Sequence, residues 1–289
     1  MSGVTFLGTA GGRMVVTSQL RKSGGFWLSL AGKNILVDPG PGSLMRSVEL
    51  GLKPAHLDCI VLSHKHIDHS NDVNIMIEAM SGGSFRPRGM LLAPSDALEG
   101  DDPVVLRYVR NYIRNNIKVL EPGFKCSLDG VTVEVVIRMT HADVEAYGLK
   151  FSFDGKTLGY VTDTKFFSGL PEAFKGCDYL IVNMVRMTHD ARFEHLLPED
   201  VIRVLKVAKP PPGHPQPLRP AGRQGKTRSR GPAHRKGVQS PHHRRRRRHA
   251  VQLRHWQSSY RAYHQQLQLI QANYSQTFYH GGIAPYPDN

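Results

Sequence analysis

Hydrophobic and polar positions alternate in short blocks along residues 1–209. Apolar or alternating runs that end at glycine, proline or Asp-Gly predict strands. These runs are residues 4–7, 26–30, 34–37, 59–62, 90–93, 117–120, 124–128, 131–137, 148–153, 157–161 and 178–183. Apolar residues at helical spacing predict helices at 43–50, 71–80, 104–115 and 198–207. Two strand-rich halves with helices between them predict an α+β fold, a four-layer αβ/βα sandwich.

A dense group of polar side chains follows the apolar run 59–62, where the sequence reads Ser-His-Lys-His-Ile-Asp-His over residues 63–69. Side chains alternate along an extended segment, so His64 and His66 share one face and can bind one ion together. Asp68 and His69 follow where the chain must turn, so they can face a second ion. Imidazole and carboxylate suit zinc, with iron or manganese as alternatives. The alternative interpretation is a polar loop that is merely rich in histidine.

Charge divides the chain at about residue 209. Residues 1–209 hold 24 Lys and Arg against 23 Asp and Glu, whereas residues 210–289 hold 14 against one. The second part has only eight Ile, Leu and Val residues in its 80 positions, and it contains five consecutive arginines at 244–248. Such a composition cannot bury much of a core. It predicts either an arm that binds nucleic acid through its phosphates or a solvated basic tail.

Other features of the composition limit the setting of the protein. No apolar run is long enough to span a membrane, and no signal peptide is evident at the amino terminus. The three cysteines, Cys59, Cys126 and Cys177, are scattered and form no Cys-x-x-Cys pair. They suit the reducing cytoplasm and argue against a disulfide framework. We therefore expect a cytoplasmic protein without a membrane partner, and the sequence predicts no oligomeric state.

The motif at 63–69 closely resembles that of the metallo-β-lactamase-fold hydrolases. The run Val-Thr-Phe-Leu-Gly-Thr at 4–9 and the Asp-Pro-Gly turn at 38–40 resemble the branch of that family that includes ribonuclease Z and related phosphodiesterases. The resemblance covers about residues 4–209 and implies the metallo-β-lactamase type of sandwich. It also implies two further metal ligands. His141 follows the predicted strand 131–137, and Asp163, which in the family bridges both ions, follows the strand 157–161.

The resemblance implies a metal-dependent hydrolase in which two divalent ions lower the pKa of a shared water and so provide a metal-bound hydroxide. Asp68 would orient the hydroxide as well as bind the second ion. Asp38 would support the metal loop through hydrogen bonds. His195, which precedes the predicted helix 198–207, would donate a proton to the leaving group. A solvent-exposed histidine at a helix start is the alternative for His195.

The family's last metal ligand, a histidine after a late strand, has no convincing counterpart in residues 1–209. Shifting the reading frame after residue 209, with suitable codons, gives an apolar strand, a His-Phe-Gly sequence and a helix, which resemble the family's missing carboxyl-terminal part. We therefore expect a C-terminally incomplete hydrolase domain at 1–209 and a basic, low-complexity segment at 210–289 that is out of frame.

Two classes of function remain open on the sequence. The first is a zinc-dependent hydrolase, with manganese or iron as alternative metals, that acts on phosphodiesters. Lactones or other small esters are alternative substrates, and nucleic acid is an alternative partner. The second class is a catalytically impaired fold with a basic arm that binds nucleic acid. The pairing of Asp68 with Asp163 favours the first class, since a binding module has no need of it.

Overall fold

The computed structural model describes residues 2–190 and 193–208. Within these ranges the strands are β1 (Gly3–Phe6), β2 (Phe26–Leu30), β3 (Lys33–Val37), β4 (Cys59–Val61), β5 (Met90–Pro94), β6 (Ile117–Leu120), β7 (Lys125–Leu128), β8 (Val131–Arg138), β9 (Tyr147–Phe153), β10 (Lys156–Val161) and β11 (Tyr179–Val182). The helices are α1 (Arg13–Thr17), α2 (Ser43–Glu49), α3 (Ile67–Ser70), α4 (Val73–Ser81), α5 (Ser95–Leu98), α6 (Arg107–Arg110), α7 (Leu170–Ala173) and α8 (Pro198–Ala208). Short 3-10 turns occupy Pro54–His56 and Asn111–Ile113.

The strands form two sheets. The first has the order β1-β2-β3-β4-β5-β6, in which β1 to β3 are antiparallel and β3 to β6 are parallel. The second has the order β11-β10-β9-β8-β7, and only its β10–β11 pair is parallel. The carboxyl ends of parallel strands meet at one edge of a sheet, so the loops after β3 and β4 lie side by side.

Alternation along the strands sorts the apolar side chains into layers. Trp27, Leu36 and Ile60 point to one face of the first sheet, where they join the apolar residues of α4 to α6 in one core cluster. A second cluster joins Val161 in β10 to the apolar residues of α7 and α8. The inner faces of the two sheets pack together, with the Phe26 and Tyr160 ring centroids 4.9 Å apart. The order is helices, sheet, sheet, helices, which confirms the predicted four-layer αβ/βα sandwich.

The predicted helix 104–115 is wrong at its start and its end. The backbone N–H groups of Val104 and Val105 both donate to the Ala97 carbonyl. The Asn74 side chain donates to the Val104 carbonyl and accepts from the Leu106 N–H. These contacts hold residues 104–106 outside the helix, so regular helical structure is confined to α6 and the 3-10 turn that follows it. The apolar spacing fitted a helix because Val105, Val109 and Ile113 all face the core.

The predicted tail at 210–289 lies outside the described residues, as does the expectation that it is out of frame. Among the residues that are described, no helix combines the length and the apolar character needed to span a membrane.

Candidate metal centre

Four segments of the chain bring histidine and aspartate side chains together at one edge of the two sheets. His64 and His66 follow β4, Asp68 and His69 lie in α3, His141 follows β8, Asp163 follows β10, and His195 precedes α8. Every residue for which the sequence predicted a metal or catalytic role lies in this cluster. Four overlapping groups of three have ligand atoms within 4.8 Å of one another: His64–His66–His141, Asp38–His64–His69, Asp68–His69–Asp163 and His141–Asp163–His195.

The first group consists of three imidazoles that converge on one point. The ring centroids of His64 and His66 lie 4.9 Å apart, and those of His64 and His141 lie 5.3 Å apart. Nδ1 of His66 faces Nε2 of His141 at 3.1 Å. The other nitrogen of His141, Nδ1, donates to the Glu194 carbonyl, so in the neutral ring Nε2 keeps its lone pair for the cluster. This is the arrangement that an imidazole ligand requires.

One nitrogen in this group is unusual for a buried polar atom. Nε2 of His64 is fully buried and has no hydrogen-bond partner among the described residues, although Nδ1 lies 3.1 Å from the Ser63 hydroxyl. Buried polar atoms almost always have a partner, and a missing partner needs an explanation. Burial also lowers the pKa of His64 well below its ordinary value, so this ring is neutral at neutral pH. A neutral, unpartnered imidazole nitrogen aimed into a cluster of histidines fits a metal ion.

The last two of these groups share Asp163, and three imidazoles lie near one of its oxygen atoms. Its Oδ2 lies 3.4 Å from Nε2 of His69, 3.8 Å from Nε2 of His141 and 3.4 Å from Nε2 of His195. Asp68 belongs to the group with His69 and Asp163, and its Oδ2 lies 4.0 Å from Nε2 of His69. The other oxygen of Asp163, Oδ1, accepts a hydrogen bond from the Asn183 amide at 3.3 Å.

The charges of His69 and Asp163 depend on each other. Burial opposes the charged form of both Asp163 and His69, but each charge stabilises the other. Asp163 and Asp38 raise the pKa of His69 well above its ordinary value, while His69 and His195 lower that of Asp163 well below it. A cation bound here would replace the proton on His69, as metal ions do at imidazole ligands.

Asp38 holds the residues of the cluster in place through hydrogen bonds, as its place in the Asp-Pro-Gly turn suggested. Its side chain is buried and accepts four hydrogen bonds. The donors are the Ser63 backbone N–H at 2.6 Å, the Ser63 hydroxyl at 2.6 Å, the Tyr160 hydroxyl at 2.7 Å and Nδ1 of His69 at 2.9 Å. The last bond fixes the His69 ring with Nε2 towards Asp163. Gly40 lets this turn approach α3, since a Cβ at that position would lie 2.0 Å from the Asp68 carbonyl oxygen.

Sequence reasoning missed the residues that tie the two halves of the site together. The Ser63 hydroxyl lies 2.8 Å from the Thr162 hydroxyl, and the Tyr160 and Asn183 side chains also contact the site carboxylates. No local pattern marks these residues, because each partner is distant in the sequence. The only signal was that Thr162 follows the predicted strand 157–161 and that Asn183 ends the predicted strand 178–183, at the edge where the candidate ligands gather.

The sequence comparison identifies the family to which this fold belongs. The chain belongs to the beta-lactamase superfamily, because the sequence model described as "Beta-lactamase superfamily domain" matches residues 33–212. An uncharacterized protein of Methanocaldococcus jannaschii is 32% identical over 205 residues, which cover 70% of this chain and 76% of that protein.

Two further relatives bear on the fold and the branch of the family. A protein named ribonuclease Z from Methanopyrus kandleri is 28% identical over 106 residues, which cover 36% of this chain and 37% of that protein. Among solved structures, the metallo-beta-lactamase fold protein YhfI from Bacillus subtilis is similar with a TM-score of 0.58 and 18% identity. That similarity covers 72% of this chain and 82% of YhfI, and it shows the shared fold.

Proposed function

We propose that this chain is a metal-dependent hydrolase that cleaves phosphodiesters. Two observations carry the proposal. Histidine and aspartate side chains from separate loops converge on one point. Among the described residues, Nε2 of His64 is buried there without a hydrogen-bond partner. A structural cluster of histidines would instead satisfy its buried nitrogens with protein acceptors.

The ligands fall into two sets that share Asp163. His64, His66 and His141 with Asp163 would hold one ion, and Asp68 and His69 with Asp163 would hold the second. Zinc suits these nitrogen and oxygen donors best, and manganese or iron are the alternatives. When bound, such ions lower the pKa of a water and stabilise negative charge on a substrate oxygen.

Two side chains would act on the substrate and the attacking water. Asp68, which is partly exposed at the cluster, would accept a hydrogen bond from the attacking water and orient it. Nε2 of His195 lies 3.4 Å from Oδ2 of Asp163, and the His195 side chain is 14% exposed. We assign it as the donor of a proton to the leaving oxygen, since an imidazole can hold and release a proton near neutral pH.

The proposed substrate class rests on sequence similarity to a known protein rather than on a binding pocket. The similarity to a protein named ribonuclease Z supports a phosphodiester, and nucleic acid would be one such substrate. Lactones and other small esters are the alternative, because the same cluster suits attack on a carbonyl carbon. A cytoplasmic location is also part of the proposal, since all three cysteines are free and buried rather than paired.

The direct test compares hydrolysis of bis(p-nitrophenyl) phosphate with that of p-nitrophenyl acetate by the zinc-loaded protein. We expect the phosphodiester to be cleaved and Asp68→Ala to lose at least about a hundredfold in rate. Asp101→Ala, which changes an exposed carboxylate, is the matched control and should keep the parent rate. Preference for the acetate would favour the esterase alternative, and equal rates for Asp68→Ala and the control would refute the role of Asp68.

A catalytically impaired protein that binds nucleic acid is the second candidate. The observation that favours it is the strongly basic composition of residues 210–289. In that case a labelled RNA should bind the full chain with strong salt dependence, because each neutralised phosphate releases counterions. Removal of residues 210–289 should then abolish binding, whereas a hydrolase would keep its activity on the small phosphodiester.

We also propose the domain boundary at residue 209 and a reading-frame shift beyond it. The composition change supports both, and the family match ends nearby at residue 212. Sequencing the gene across the codons for residues 208–212 tests the frame directly. A restored frame should add the family's last histidine ligand and increase the metal bound from one ion towards two. Equal metal content in both forms would contradict the shift.

A further inference from the structure

Tyr160 and Asn183 form a hydrogen-bonded chain between the two buried carboxylates of the site. The Tyr160 hydroxyl, at the end of β10, donates to Oδ2 of Asp38 at 2.7 Å. The Asn183 amide, just after β11, donates to the Tyr160 oxygen at 3.2 Å and to Oδ1 of Asp163 at 3.3 Å. The order Asp38–Tyr160–Asn183–Asp163 therefore links the turn after the first sheet's β3 to the loops of the second sheet.

The donor and acceptor roles along this chain are fixed by its ends. Both carboxylates can only accept, so the tyrosine hydroxyl must donate to Asp38 and the amide nitrogen must donate to Asp163. The tyrosine oxygen still has a lone pair for the second amide hydrogen of Asn183. Asparagine supplies two donors from one nitrogen, whereas an aspartate at 183 would place an acceptor against Asp163. The residue types at 160 and 183 thus match what the two carboxylates need.

This row of hydrogen bonds determines which oxygen of Asp163 is available to a metal ion. With Oδ1 held by Asn183, Oδ2 is the atom that faces the imidazoles of His69, His141 and His195. Without the amide, the carboxylate could turn about its Cβ–Cγ bond and present its oxygens less favourably. At the other end, Tyr160 is fully buried and holds Asp38, which in turn orients His69.

We propose that Tyr160 and Asn183 are positioning residues that hold Asp163 and Asp38 in the orientation that binds the metal. The inference rests on the proposed metal centre and extends it to residues that touch neither the ions nor the substrate. Residues that hydrogen-bond to metal ligands typically increase metal affinity by about ten- to a hundredfold.

The test is a double-mutant cycle on zinc affinity, with Tyr160→Phe, Asn183→Leu and the double variant. Asn34→Leu is the matched control. Asn34 is also half-buried and makes three side-chain hydrogen bonds, to Trp27, Ser29 and the His56 carbonyl, at the opposite end of β3. Zinc dissociation constants come from competition with a chromogenic chelator. Unfolding midpoints of the metal-free proteins are measured in parallel, and the visible spectrum of the Co²⁺-substituted proteins reports ligand geometry.

We expect Asn183→Leu to weaken zinc binding by roughly ten- to a hundredfold and to change the Co²⁺ spectrum. Tyr160→Phe should weaken binding by about tenfold, and the double variant should lose less than the product of the two single losses, because the residues act through one chain. Asn34→Leu should keep the parent affinity within about threefold even where its unfolding midpoint falls to the same degree.

The outcomes separate this inference from the proposed function. If the parent and the control bind zinc and Asn183→Leu binds it equally well, with an unchanged Co²⁺ spectrum, the positioning role is overturned while the metal centre stands. Affinity losses that follow the unfolding midpoints in all variants, Asn34→Leu included, would also overturn it. If the parent itself binds no zinc, the metal centre is refuted and the inference falls with it.

Discussion

The structure predicts that Asp38→Asn will destabilise the metal-free protein substantially. Asp38 is 2% exposed and accepts four hydrogen bonds, three of them at Oδ2. The substitution keeps the shape but turns one acceptor oxygen into an NH₂ donor. It adds no backbone strain, because the φ of Asp38 is 51° and asparagine tolerates the left-handed region at least as well as aspartate.

The size of the effect follows from the number of bonds changed. A hydrogen bond to a charged acceptor contributes about 1.5–3 kcal/mol and a neutral one about 0.5–1.5 kcal/mol, so each bond loses about 1 kcal/mol with the charge. The hydroxyls of Ser63 and Tyr160 can rotate to accept from the new NH₂ group, which offsets part of the loss. Removing a buried charge also relieves its desolvation. We therefore expect a net decrease of about 2–4 kcal/mol in the free energy of unfolding.

Urea unfolding of the chelator-treated proteins measures this difference from midpoints at a common slope. Asp58→Asn is the control. Asp58 lies just before β4, at the opposite end of that strand from the site. It accepts from the Asn34 N–H and from Arg88, and its side chain is 27% exposed. We expect the control to lose about 1 kcal/mol or less. An Asp38→Asn protein as stable as the control would refute the view that Asp38 organises the site.

Three further predictions concern the turn, the leaving group and the thiols. Gly40→Ala should destabilise the protein by about 1–3 kcal/mol and reduce bound zinc, because the added Cβ would overlap the Asp68 carbonyl. Gly169→Ala, where a Cβ meets only ordinary contacts, should have a far smaller effect in the same unfolding and metal assays. His195→Gln should slow hydrolysis of a methyl phosphodiester about a hundredfold and that of the p-nitrophenyl diester much less, because only the poor leaving group needs a proton; equal losses would contradict the assignment. Burial raises the pKa of the Cys177 thiol to about 11, so little thiolate exists at pH 8. Ellman's reagent should therefore label Cys177 only after denaturation, and rapid labelling of Cys177 in the native protein would contradict its burial.

The sequence was informative wherever a pattern is local. Strands such as β2 and β8 were predictable because their apolar runs end at turn residues. The spacing of His64 and His66 predicted that the two side chains lie together, and their ring centroids are 4.9 Å apart. His141 and Asp163 could not be paired with them by spacing, since their loops are far away along the chain. Only the resemblance to a family placed them, and the structure brings them together.

The parts that sequence could not predict depend on contacts between distant segments. Residues 104–106 stay outside a helix because Ala97 and Asn74 take their backbone groups, which outweighs an apolar spacing that fits a helix. The link from Tyr160 to Asp38 spans 122 positions and joins two sheets. Tyr160 has no local pattern that indicates a polar role, because its position fits the apolar core of a strand.

Metal content measures the central claim most directly. The purified protein, loaded with zinc and passed through a desalting column, should retain at least one ion per chain by elemental analysis. His64→Ala should lose most of it, because His64 supplies the unpartnered Nε2 at the centre of the cluster. His56→Ala, which changes an exposed histidine in the Pro54–His56 turn, should retain the parent amount. Equal zinc in all three proteins, or none in the parent, would contradict the assignment of this cluster as a metal centre.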